Sequence, residues 1–143
     1  MGARECTVHK LVTDVAALTA GKVLLVRYKD VAKYDNQKGW FLPDDYLNFD
    51  EHPGDAAKRI LVEQAGISAD GPELGLIESF SGGPSGAWHL VFHYKVELVR
   101  PPRIRPGANV AAAKWFPIDG LPPREEISHG GWAADVLQGI LGK

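Results

Sequence analysis

The segment from Gly39 to Ile67, GWFLPDDYLNFDEHPGDAAKRILVEQAGI, constrains this chain more than any other. Pro53-Gly54-Asp55 forms a helix start, with proline in the first turn and an acid that complements the helix dipole. AAKRILVEQAG follows, and Gly66 can end the helix. Ala57, Ile60, Leu61 and Gln64 fall at i, i+3, i+4 and i+7, so they share one stripe of that helix.

The segments around it read as strands. Val8 to Leu18 and Lys22 to Tyr28 are joined at a turn containing Gly21, and KVLLVRY is as aliphatic as a largely buried strand should be. Lys29 to Lys38 is polar loop. WFLP reads as a short strand stopped by Pro43, which has no N–H for a ladder. Leu76 to Ser81 and His89 to Val99 are two more strands, joined by a turn over Gly82 to Gly86. The second alternates: Leu90, Phe92, Tyr94, Val96 and Leu98 share one face, and His89, Val91, His93, Lys95 and Glu97 the other. A proline-bearing connection from Arg100 to Ala108 leads to a last strand, Ala111 to Pro117, and a closing helix, Gly131 to Leu141. This order predicts an α+β or mixed α/β layered fold.

The chain of 143 residues is long enough for one core and short for two, so a single domain over residues 1–143 is expected. A net charge of -2 gives no general pull toward nucleic acid or an anionic membrane. The single cysteine, Cys6, excludes an intrachain disulfide framework and suits a reducing cytoplasm. No apolar run approaches the ~20 residues of a membrane span. MGARECTVHK lacks a signal-peptide core, and Cys6 breaks the myristoylation pattern. A cytoplasmic location is the expectation.

The spacing within Gly39–Ile67 resembles the Nudix box, G-x5-E-x7-R-E-U-x-E-E-x-G-U, where U is a bulky aliphatic residue. Glu51, Arg59, Leu61, Glu63, Gly66 and Ile67 match it in register. Asp45 stands where the box has its first glycine, Ile60 where it has the glutamate after arginine, and Gln64 where it has the second glutamate of the pair. WFLP before the box resembles the family's W-x-L-P, and KWFPIDGLP from Lys114 its late W-F-P…L-P turn. The resemblance spans roughly Val8 to Leu141.

It implies a mixed sheet sandwiched between helices (a Nudix-type α/β/α sandwich) and metal-assisted hydrolysis of a nucleoside diphosphate linked to another group. Carboxylates at i, i+3 and i+4 of one helix share a side, where Mg²⁺ or Mn²⁺ could be held to polarise phosphoryl oxygens. Those positions correspond here to Ile60, Glu63 and Gln64. Ile60 cannot ligate a cation, and Gln64 offers only a neutral carbonyl. Glu63 is therefore the surviving candidate ligand, with Asp44 and Asp45, which replace the usual glycine pair, as candidate helpers. Asp50, Asp55 and Glu78 are further acids that folding could bring close. Glu51 and Arg59 would brace the loop against the helix and orient the carboxylates, so the candidate catalytic set is Glu63, Arg59 and Glu51.

Arg103 and Arg105 could clamp a phosphate through forked hydrogen bonds, or form a solvated, rigid connection. Trp115, like Trp40, Trp88, Phe80 and Tyr46, could stack on a base or belong to the core. His89 and His93 lie ~13 Å apart along a strand, too far for one ion, and read as surface or cleft residues. His52 and His129 have no partner that would make them ligands. The chain thus reads as a hydrolase with weakened or rearranged metal chemistry, or as a non-catalytic module that kept a nucleotide-shaped cleft. Either would take a small nucleotide or diphosphate ligand, and a homodimer is compatible with both.

Overall fold

The computed structural model describes residues 9–82 and 86–142. Val8, Cys6 and the centre of the Gly82–Gly86 turn lie outside them. The elements are β1 (His9–Thr19), β2 (Lys22–Tyr28), β3 (Asp44–Tyr46), α1 (Pro53–Ala65), β4 (Glu73–Ser81), β5 (Trp88–Glu97), β6 (Val110–Pro117) and α2 (Ser128–Leu141). The six strands form one sheet in the order β4-β5-β1-β2-β6, with β3 added on β1. β1 and β5 run parallel, from His9↔Trp88 to Leu18↔Glu97, and the remaining pairs are antiparallel.

β1 and β2 are joined through Ala20 and Gly21, both at positive φ (49° and 73°). Two left-handed residues make the tight turn whose twist matches that of its strands. The sheet is covered on both faces. Val15, Ala17, Leu24, Tyr94 and Val96 pack with Ala57, Ile60 and Leu61 of α1. Ala16, Leu18, Val23 and Leu25 pack with Ala133, Val136 and Leu137 of α2. The resemblance and the alternation of β5 both anticipate this sandwich.

α1 begins and ends as its sequence indicates. His52 is the N-cap, its Nδ1 accepting the Gly54 N–H at 2.9 Å. Gly66 closes the helix at φ 67°, donating to Val62 O, while the Ile67 N–H reaches back to Leu61 O. In α2, His129, Gly130 and Gly131 have left-handed backbone, so regular helix begins beside the expected Gly131.

WFLP needs correction. Trp40 and Phe41 make only single bridges, to Ile127 and Val26, and the strand is β3, which starts after Pro43. Pro43 heads the ladder because only its carbonyl is used there, accepting from Val15 N–H at 3.1 Å. β4 also begins earlier than Leu76, with a register shift between Leu74 and Leu76. Gly75 sits in that shift, where a Cβ would come within 2.6 Å of Ile140 of α2.

The 100–109 connection lies across the end of α1. Arg105 N–H donates to Ala65 O at 2.8 Å and Gly107 N–H to Gln64 O at 3.1 Å, capping carbonyls that the helix cannot satisfy itself. A Cβ on Gly107 would collide with the Glu63 carbonyl oxygen, whereas one on Gly71, at φ 65°, meets nothing. Gly107→Ala should therefore cost more than about 2 kcal/mol, and Gly71→Ala only about 1 kcal/mol of backbone strain. Urea denaturation midpoints of the two variants check this order.

Candidate functional site

β3 and the inner face of α1 meet at one amide. Gln64 Nε2 donates to Asp44 O at 2.7 Å, and Gln64 Oε1 accepts from the Tyr28 hydroxyl at 2.7 Å. The Asp44 N–H donates to that same Tyr28 oxygen at 3.1 Å. Tyr28 stacks on Tyr34, with centroids 3.8 Å apart and planes at 3°, and both rings lean on Phe41. Burial and the neighbouring Asp44 push both phenols well above their ordinary value, so they stay neutral hydrogen-bonding groups. Ile60, one turn earlier, is wholly buried in the core beneath α1.

The outer side of α1 carries the brace. Arg59 makes a forked pair with Glu51, Nε to Oε2 at 2.9 Å and Nη2 to Oε1 at 3.0 Å. It also reaches Glu63 Oε1 at 2.9 Å, Tyr46 O at 3.0 Å and Asp45 Oδ2 at 3.5 Å. The hydrogen bond to Arg59 holds the Glu51 carboxyl below its usual range, and Glu51 in turn raises the guanidinium. Asp45 is shared with Lys33, whose Nζ is 2.7 Å away.

The candidate residues thus separate. Glu51, Arg59, Glu63 and Asp45 come together. Asp44 points to the opposite face of β3, because it is paired directly with Asp14 of β1 and strand side chains alternate. Arg103 and Arg105 are exposed on the connection over the C-terminal end of α1. Trp115 packs on the core beneath α1. None of these three lines the cavity described below. Asp50 and Asp55 are exposed, Asp55 in the first turn of α1.

On the α2 side of the sheet, β1, β3 and β5 floor a cavity of about 170 Å³. Tyr34, Phe41, Tyr46, Phe80, His129 and Trp132 supply its aromatic walls, and Val12 and Val91 its floor. Asp44, Asp45, Asp35, Lys33 and His89 are its polar groups. Phe80 and His89 stack at 4.8 Å with planes 7° apart. His129 ties α2 to the 29–38 loop, through Asp35 at 3.0 Å and its own N–H to Gln37 at 3.1 Å.

Beside this cavity lies a polar cluster that corrects the reading of His93 as a surface or cleft residue. His93 is fully buried. Its Nδ1 is 2.8 Å from both carboxyl oxygens of Asp14, also fully buried, and its Nε2 is 2.6 Å from Glu78 Oε1. Trp132 Nε1 donates to the same Glu78 oxygen at 3.2 Å. Burial alone would lower the imidazole, but the two carboxyls outweigh it and hold it above its ordinary value. Burial pushes Asp14 up, and His93 partly pulls it back. The signal was a lone acid in the apolar run Val12–Leu18 and a lone histidine in VFHYKV, which the parallel β1–β5 register places side by side.

A divalent cation needs several oxygen donors converging at about 2.0–2.6 Å. Among the described residues no group of three His, Cys, Asp or Glu side chains is placed to hold one. Ile60 is buried apolar, Gln64 is committed to Tyr28 and Asp44, Glu63 is paired with Arg59, and Asp45 with Lys33. This arrangement does not assemble the cation site that the resemblance implies.

The model of the NUDIX domain matches residues 8–136. The chain belongs to the NUDIX family. Solved structures of similar fold include a MutT NUDIX hydrolase from Burkholderia pseudomallei, with a TM-score of 0.76 and 19% identity over 92% of this chain and 98% of that one. The NUDIX domain of Shewanella oneidensis NrtR complexed with ADP ribose gives 0.67 and 20%, over 79% and 75%. A C. elegans Ap4A hydrolase gives 0.62 and 17%, over 88% and 86%. No curated protein matches at a significant level of similarity. No helix among the described residues is long and apolar enough to cross a membrane.

The buried histidine of this NUDIX domain makes stability depend on pH. Its folded-state pKa is raised, so its contribution is complete below the ordinary value of 6.5 and is lost as pH rises through the folded value. His93→Gln should destabilise the fold by about 3 kcal/mol near pH 6. The gap to wild type should shrink as pH rises above 6.5 through the raised folded-state value, as linkage requires. Denaturation curves of both proteins across that range test it; a gap that widens with pH would refute the assignment.

Proposed function

We propose that this NUDIX chain is a ligand-binding module that holds a small nucleotide or diphosphate in the aromatic cavity and does not turn it over. The observation that carries this reading is the fate of the two substituted box positions. Ile60 is sealed into the core, and Gln64 must donate a hydrogen bond to the Asp44 carbonyl, which a glutamate carboxylate cannot do. Both replacements have become part of the scaffold. The cavity is concave and largely apolar with a few polar groups, as small-molecule sites usually are.

A second reading, a hydrolase with a rearranged cation site, is favoured by one observation. Glu63 is about half exposed (55%) and converges with Asp45 on Arg59 at the protein surface. In that reading Glu63 ligates Mg²⁺ or Mn²⁺, Asp45 or Asp44 assists, and Glu51 and Arg59 hold the loop. Arg103, Arg105 and Trp115 would be its substrate contacts.

Thermal melting with nucleoside diphosphates and ADP-ribose, in EDTA or in Mg²⁺ or Mn²⁺, is run alongside a turnover assay. The binding module predicts stabilisation of about 2.7 kcal/mol at a hundredfold excess over Kd, unchanged by EDTA and without product. Metal-dependent turnover abolished by Glu63→Gln would establish the hydrolase instead. The scaffold argument has its own check. Ile60→Glu should lose more than about 3 kcal/mol, and Gln64→Glu about 2 kcal/mol from a carboxylate set against a carbonyl. A double variant that melts like wild type and gains Mg²⁺-dependent turnover would overturn it.

A further inference from the structure

The side chain of Asp44 is the unexplained group in the cavity. The residue is 6% exposed, it lines the cavity, and its carboxyl has no hydrogen-bond or ion-pair partner among the described residues. Its main chain is fully used: the N–H donates to Tyr28, and the carbonyl accepts from Gln64 and, at longer range, from Tyr28 and Tyr34. The charged groups facing the carboxyl do not help it. Asp14, Asp45 and Asp35 are acids, and Lys33, the nearby cation, is bound to Asp45. Buried polar atoms are nearly always paired, and one left bare is costly.

The surroundings specify what would pair with it. Tyr34, Phe41, Tyr46, Phe80 and Trp132 bound a space suited to a flat ring, while the carboxyl offers two oxygens in one plane. A planar carboxylate matches an edge with two parallel donors, an amino group beside a ring N–H, as guanine carries. It accepts both N–H bonds at once. An edge with a ring N–H and no amino group leaves one carboxylate oxygen bare, and an edge whose ring nitrogen carries no hydrogen sets a lone pair against it.

We propose that Asp44 reads a base edge with an amino group beside a ring N–H, so that the cavity takes guanine-type bases over their amino-lacking counterparts. The inference rests on the ligand-binding reading above and names the ligand class for that cavity. Ring stacking against the aromatic walls supplies base-tolerant attraction, and Asp44 supplies the discrimination.

The test is calorimetric titration of GDP against IDP into the full chain in EDTA. GDP should bind about tenfold more tightly or better, as a good bidentate contact gives. Asp44→Ala should bring the two within about threefold while binding is retained. That variant should fold, because it keeps the main-chain bonds and removes only an unpartnered buried carboxyl; its melting curve verifies this. Equal affinities of the wild type for GDP and IDP, or a preference that survives in Asp44→Ala, would overturn the proposal, and the wild-type comparison stands even if the variant fails to fold. So would Mn²⁺ binding alone that is lost in Asp44→Ala, because Asp44 would then be a cation ligand. If no nucleotide binds at all, the ligand-binding reading itself falls; if nucleotides bind without regard to the amino group, only the role of Asp44 falls.

Discussion

The hydrogen bond from the Gln64 amide to the Asp44 carbonyl decides how the rest of this molecule is arranged. It joins the helix that carries the box to the three-residue strand that floors the cavity, and Tyr28 closes it into a small buried network. A glutamate at that position could accept from Tyr28 but would repel the carbonyl. The position thus has a structural reason to be an amide, whatever the chemistry asks of it. Both acids border the cavity, but once β3 is fixed this way alternation turns Asp45 to its ion pairs with Arg59 and Lys33 and leaves the Asp44 carboxyl without one.

The two sides of the sheet have correspondingly different electrostatics. On the α1 side the charges are paired near solvent, and Arg59 collects Glu51, Glu63 and Asp45 around one guanidinium. Such a forked pair fixes geometry as much as it contributes energy. On the α2 side Asp14 and His93 are buried, and with the partly exposed Glu78 they link β1, β5 and β4 in a row with Trp132 of α2 resting on its end. That row lies beneath the α2 wall of the cavity, so the placement of Trp132 depends on it. Among the described residues Asp44 is a buried acid with no ion-pair or hydrogen-bond partner for its carboxyl, and the hydroxyls of Thr13, Thr19 and Ser128 are also buried without one.

Much of this fold was legible in the sequence, and the reasons differ between elements. α1 could be read end to end because its signals are local: proline in the first turn, one apolar stripe, and a glycine stop. The alternation of β5 was legible for the same reason. WFLP was misread because the rule against proline in strands applies to its missing donor, and at the head of β3 only its acceptor is used. His93 was missed because its partners come from β1 and β4, 79 and 15 residues away. The brace of Arg59 and Glu51 was recoverable through the resemblance alone. The cavity was not, since its walls come from five separate segments and no local spacing records them.

The connection between β5 and β6 looks like a dispensable surface loop, rich in proline and arginine, but its two halves are not equivalent. From Arg105 onward it is bonded to the last carbonyls of α1, including that of Gln64, with Gly107 pressed on Glu63. The stretch Arg100–Arg103 makes no such bonds among the described residues and lies in solvent. A tag, a reporter peptide or new chain termini could therefore be introduced at Arg100–Arg103 without disturbing the helix. The same graft five residues later would release the backbone of Gln64 and unseat the floor of the cavity from behind.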